Sequence, residues 1–144
     1  MTYTQTSSRH DVERPTRSDL IPIADIMTAH PICVAPELPL RHVVGLVMTR
    51  YIGCVPVVDA SGAPVGMITK RDLIEHAAHG ATTAADVMMP LAFTLDERAS
   101  IARAAALMAA EDVHHVPVVA RSGRVIGIVS ALDIVRWLAR TALA

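Results

Sequence analysis

The stretch from Ala24 to Glu75 recurs from Ala85 to Arg136 without a gap. Asp25, Met27, Val55, Pro56, Val57, Val58, Ser61, Gly62, Gly66 and Asp72 return as Asp86, Met88, Val116, Pro117, Val118, Val119, Ser122, Gly123, Gly127 and Asp133, each displaced by 61 positions. A constant displacement over this much of a chain marks a duplicated structural unit. With 144 residues the chain holds one ordinary domain, or two half-size units that share a core because neither buries enough apolar surface alone. The repeat selects the second arrangement.

Each copy reads as β-α-β-β-α. Pro31-Ile32-Cys33-Val34 is short, β-prone and bounded by prolines, which predicts a brief opening strand. Pro39 then stands at a helix start, and Leu40, Val43, Val44 and Val47 recur at helical spacing, as do Ile101, Ala104, Ala105 and Met108. Val55–Val58 and Val65–Ile68 flank Asp59-Ala60-Ser61-Gly62, a run of turn formers that predicts a hairpin. From Thr69 the pattern becomes helical again through Leu73, Ile74 and Ala77, with Gly80 suited to close the helix. The predicted fold is α+β: two such units, 20–80 and 81–144, packed as a pseudo-two-fold pair through their sheets, behind a polar tail over 1–19 that carries Arg9, Arg14 and Arg17. The first helix of each unit is apolar on most sides, and Gly45 and the alanines permit close helix approach, which predicts a homodimer.

Composition narrows the function classes. Thirteen Lys and Arg against fourteen Asp and Glu leave no broad field for a nucleic-acid backbone or an anionic membrane. The apolar helices are too short to span a bilayer, and the tail lacks the apolar run of an export signal, so a cytoplasmic location is expected. Cys33 and Cys54, both in apolar strand-like surroundings, are expected as reduced buried thiols; a redox-gated pocket is the alternative. His76 and His79 are spaced as metal ligands can be, yet a helix C-terminus accounts for them, and no metal is expected.

The sharpest local signal is Gly66-Met67-Ile68-Thr69-Lys70-Arg71-Asp72, echoed by Gly127-Ile128-Val129-Ser130-Ala131-Leu132-Asp133. Helix capping explains the hydroxyl and the acid: Thr69 or Ser130 as N-cap, the carboxylate reaching back to the cap amide. It leaves the glycine unexplained, since glycine inside a strand marks a bulge or a close approach by another group. A hydroxyl among the free amides of a helix start also suits a phosphate, and a carboxylate one turn in can accept hydrogen bonds from ribose hydroxyls. Both readings stand at this point.

With Asp25-Ile26-Met27 and Asp86-Val87-Met88, the two Val-Pro-Val-Val strands and the two Gly-to-Asp segments, the chain resembles the cystathionine-β-synthase (CBS) domain family from Ile23 to about Arg140. The resemblance implies a Bateman module whose inter-domain clefts bind AMP, ADP, ATP or S-adenosylmethionine, with NADH a further candidate and no cofactor required. In one implied cleft Ser130 and Asp133 hold phosphate and ribose while Ile32, Cys33, Gly53 and Cys54 line the base, with His114 recruited to phosphate. In the other, Thr69 and Asp72 act with Phe93, Thr94 and His115, and Lys70 and Arg71 supply cationic help. The implied function is regulatory, not enzymatic: nucleotide sensing that modulates self-association or a separate partner protein. A ligand-free dimerisation or interaction module, with both motifs acting only as caps, is the alternative.

Overall fold

The computed structural model describes residues 14–76, 79–91 and 93–142. Most of the expected tail, including Arg9, and Ala77 of the expected helical stripe lie outside them. The last part of that tail is structured: Arg17–Leu20 forms a helical turn, α1, capped by Thr16 and Asp19.

The repeat folds twice, as expected. In the first copy α2 (Leu40–Arg50) leads to the hairpin β2 (Cys54–Val58) and β3 (Pro64–Thr69), then α3 (Lys70–His76). After α4 (Ala84–Val87) and β4 (Met89–Pro90), the second copy runs β5 (Leu95–Asp96), α5 (Ile101–Glu111), β6 (His115–Val119), β7 (Val125–Ser130) and α6 (Ala131–Ala142). The predicted hairpin turn is present: Asp59 Oδ1 accepts from the Ser61 and Ala63 amides at 2.9 and 3.1 Å, and Gly62 takes φ 84°. The opening strand is shorter than predicted in the first copy, where only Val34 bridges Val57 in parallel; β5 is its two-residue counterpart.

The two units exchange their lead-in segments. A short strand, β1 (Thr28–Ala29), pairs with Ile128 and Gly127 of β7, while β4 pairs with Met67 and Gly66 of β3. The sheets are therefore β2-β3-β4 and β1-β7-β6-β5, where the pattern predicts three strands drawn from one copy. Backbone bonds repeat the exchange: the Ile23 amide donates to Ala99 O at 2.8 Å and the Ala84 amide to Leu38 O at 2.9 Å. Ile23, fully buried, belongs to the core of Ile101, Val116, Val118 and Val129, and Ala84 and Val87 belong to that of Val43, Val55, Val57 and Ile68. Each such buried aliphatic side chain contributes on the order of 1.5–3 kcal/mol, so each core depends on residues that precede the other copy's helices.

This exchange explains the strand glycines. A Cβ on Gly127 would lie 2.3 Å from Met27 Sδ, and one on Gly66 would lie 2.6 Å from Met88 Sδ and 2.9 Å from the Met89 carbonyl oxygen. The room that the sequence pattern reserves for an approaching group is filled by the methionine of the Asp-x-Met lead-in. It is not evidence for a ligand.

In α2, Val43 and Val47 are buried, but Val44 and Met48 are exposed, and a Cβ on Gly45 would meet nothing within 4 Å. Gly45 therefore permits no close helix contact inside the chain. Among the described residues no helix is long and apolar enough to cross a membrane.

Candidate functional site

Both Gly-to-Asp segments end in complete capping boxes. The Thr69 amide donates to Asp72 Oδ2 at 2.8 Å, the Asp72 amide to Thr69 Oγ1 at 3.3 Å, and the Thr69 hydroxyl to Oδ2 at 3.0 Å. In the second copy the Ser130 amide donates to Asp133 Oδ2 at 2.8 Å and the Asp133 amide to Ser130 Oγ at 3.1 Å. Capping is thus real at both sites, and it leaves one carboxylate oxygen free. Asp72, 7% exposed, is the buried charged residue of the described chain, yet no fully enclosed polar side-chain atom lacks a partner. Its Oδ1 therefore faces accessible space, where it can accept from a guest.

That space is a cleft of about 660 Å³ between the units. A volume in the range of about 300–1,000 Å³ suits a small organic ligand. Thr69, Asp72 and Arg71 come from the start of α3, and Cys54 and Met67 from β2 and β3. Met89 to Leu91 and Phe93 come from the exchanged segment and its continuation, and Asp112 to Val116 from the end of α5 and the start of β6. The structure thus joins Thr69, Asp72, Arg71, Phe93 and His115 in one cleft, as the sequence predicts.

Several predicted members lie elsewhere. Thr94 is exposed and does not line the cleft, because successive residues of an extended segment point to opposite sides and Phe93 takes the inward one. Lys70 is exposed and borders a separate groove of about 520 Å³ with Val44, Met48, Tyr51 and Ile74. Arg71 lines the cleft, exposed, and pairs with Glu75 at 2.7 Å. His114 lines the Thr69 cleft rather than serving Ser130, its ring 3.9 Å from Asp112. Its carbonyl accepts from the Ala131 amide at 2.9 Å, which fixes that turn against α6.

Cys54 likewise lines the Thr69 cleft, where burial first and the Asp72 carboxylate second push its thiol up to about 12. Cys33 is half-buried; burial raises its thiol, opposed by the charge of Arg124. Arg124 precedes β7 while Ser130 ends it, about 20 Å apart at strand rise. Cys33 does not line the Thr69 cleft that holds Cys54. By the 61-residue displacement, Phe93, His114 and His115 correspond to Ile32, Gly53 and Cys54. Burial, then His114, hold the His115 imidazole below the usual histidine range, with Asp133 opposing.

Sequence reasoning missed Met67, Met89, Pro90, Leu91, Asp112, Val113 and Val116 as cleft residues. Asp112 follows α5 at φ 52° and its counterpart Tyr51 follows α2 at φ 53°, each a left-handed helix end that borders a neighbouring groove. No group of His, Cys, Asp and Glu among the described residues is placed to hold a metal ion.

Comparison with known proteins places this arrangement. The sequence profile of the CBS domain matches residues 23–79 and again 84–140. Inosine-5′-monophosphate dehydrogenase of Thermoplasma acidophilum is 33% identical over 124 residues, covering 86% of this chain and 24% of that protein. L-aspartate semialdehyde sulfurtransferase of Methanocaldococcus jannaschii is 28% identical over 123 residues, covering 85% and 24%. The chain thus spans about a quarter of the length of these relatives. Among solved structures, the CBS domain pair of protein MJ0100 in complex with 5′-methylthioadenosine and S-adenosyl-L-methionine superposes with a TM-score of 0.78 at 27% identity, over 84% of this chain and 98% of that one. CBSX2 in complex with AMP shares the fold, with a TM-score of 0.75 at 21% identity over 84% and 98%.

Proposed function

The chain belongs to the CBS domain family, as two such domains in tandem, and on that premise we propose that it is a regulatory module that binds an adenosine ligand between its units. The observation that carries the reading is the 660 Å³ cleft that unites Thr69 and Asp72 of one repeat with Phe93 and His115 of the other. Free Oδ1 of Asp72 takes the ribose hydroxyls, the amides at the start of α3 face the 5′ group, and Phe93 with Met67 and Val116 forms an apolar bed for the base. The Ser130–Asp133 segment serves a sister cleft in the same way. The MJ0100 domain pair, whose complex contains two adenosine compounds, supports the ligand class.

In the cleft burial and the Asp72 carboxylate hold the Cys54 thiol protonated, and Asp72 Oδ2 caps α3. The module acts by population shift. A ligand that touches both units favours the arrangement of the units in which its contacts are made together, and so changes how the outer surface meets a second copy or a separate partner protein. Exposed Val44, Met48, Tyr51 and Ile74 on one unit and Leu132, Val135 and Leu138 on the other supply that surface.

Thermal unfolding with AMP, ADP, ATP, NADH, S-adenosylmethionine and 5′-methylthioadenosine tests the reading. A ligand of the native state at a hundred times its Kd adds about 2.7 kcal/mol and raises the midpoint. A flat response to the whole panel would leave the ligand-free interaction module, with both motifs as caps only.

A further inference from the structure

Among the Asp, Glu, Lys and Arg side chains that line the Thr69 cleft, acids outnumber bases two to one. Asp72 places a buried carboxylate on one wall and Asp112 an exposed one on another. The one lysine or arginine lining the cleft among the described residues, Arg71, is exposed and also pairs with Glu75 at 2.7 Å, which brings a further carboxylate beside it. Lys70, its neighbour, borders the groove on the other side of α3. The remaining nitrogen-bearing side chains in the cleft are two imidazoles, His114 and His115.

Resting on the reading that adenosine binds here through Asp72, we propose that the Thr69 cleft selects adenosine ligands by the charge of their 5′ substituent, taking a neutral thioether or a cationic sulfonium over a phosphate chain at neutral pH, and admitting a phosphate only as His115 gains a proton. His115 is the group with the reach to do this. It stands at the start of β6, half-buried, opposite Ser130 in the sheet register and facing the cleft. The titratable and charged groups around it are His114 on its own segment, Asp112 at the end of α5, Asp133 from α6, and Asp72, Arg71 and Cys54 across the cleft.

Burial first and His114 second hold the His115 imidazole below the usual histidine range, so at pH 7 it is a neutral ring and gives an arriving phosphate no charge of its own. An acidic medium converts the ring to a cationic donor, and a bound phosphate in turn favours that form. A thioether ligand has no charge to exchange with the ring and is indifferent to its state.

Calorimetric titration of the full chain with 5′-methylthioadenosine, S-adenosylmethionine, AMP and magnesium-free ATP at pH 7.5 and pH 5.5 tests this. At pH 7.5 the first two should bind at least tenfold more tightly than ATP. At pH 5.5 AMP should gain about tenfold while 5′-methylthioadenosine stays within twofold, and in His115→Gln the gain for AMP should be lost. Asp112→Asn, at an exposed helix end that keeps the fold, should improve ATP binding at pH 7.5. ATP binding as tightly as the thioether at pH 7.5 overturns the charge selection, and an AMP gain kept in His115→Gln, where AMP's own phosphate gains a proton over the same range, overturns the role of His115, while the adenosine reading stands in both cases. Failure of every compound to bind overturns the adenosine reading itself.

Discussion

Adding one methyl group to each strand glycine should separate two kinds of crowding. In Gly127→Ala the three atoms nearest the new Cβ all belong to the Met27 side chain, Sδ at 2.3 Å and Cε and Cγ at 3.0 Å. Methionine has three rotatable bonds and a half-buried position here, so it can turn aside. In Gly66→Ala the Cβ meets Met88 Sδ at 2.6 Å and Cγ at 2.9 Å, and also the Met89 carbonyl oxygen at 2.9 Å. That oxygen belongs to β4, whose pairing with Gly66 and Met67 completes the first sheet, so relief requires moving the strand. Overpacking costs about 1–3 kcal/mol. We assign Gly127→Ala to the lower end, about 1 kcal/mol, and Gly66→Ala to about 3 kcal/mol, even though the nearest atom is closer in the first. Urea titration should show midpoints in the order wild type, Gly127→Ala, Gly66→Ala, with unchanged slopes. Met27→Ala should be less harmful in the Gly127→Ala background than in wild type, whereas Met88→Ala should recover only part of the Gly66→Ala loss. Equal costs, the reverse order, or strict additivity of Met27→Ala and Gly127→Ala would refute the view that exchanged methionines explain these glycines.

Ile23→Ala should cost about 2–5 kcal/mol, because Ile23 is fully buried in the second unit's core although it precedes the first unit's helices; Trp137 fluorescence, which reports on that core, should follow the loss. Tyr51→Gly should stabilise by about 1 kcal/mol, since Tyr51 holds φ 53° while 90% exposed and so has little packing to lose; thermal unfolding reads this. His115 has a lowered folded value, so the native state binds fewer protons than the unfolded chain below about pH 6.5, and stability is full above that pH and falls as pH drops through it. His115→Gln should flatten that acid limb in urea titrations between pH 7 and pH 5. Asp72→Ala should weaken adenosine binding by about 1.5–3 kcal/mol in calorimetry, and an unchanged isotherm for a folded variant would remove Asp72 from the site.

The constant displacement of 61 positions carried the two-unit fold, the hairpins and the helices, because periodicity and turn residues act locally. It did not disclose that Thr28–Ala29 and Met89–Pro90 cross to the other copy's sheet, since two-residue strands have no period and pairing partners distant in sequence leave no local mark. The same gap led the glycines to be read as room for a ligand. In the site, Thr69, Asp72, Phe93 and His115 were legible from the repeat, but Thr94 and Lys70 were not separable from their neighbours without knowing which way an extended segment and a helix start face the cleft. Arg71 was legible as a cation and not as one already held by Glu75.

The most direct test of the whole account is a crystal structure of the chain with 5′-methylthioadenosine. The account predicts adenosine in the Thr69 cleft, both ribose hydroxyls on the Asp72 carboxylate, and the base against Phe93, Met67 and Val116. Adenosine bound elsewhere, or a Thr69 cleft closed by the protein's own side chains with Asp72 turned away from it, would contradict it.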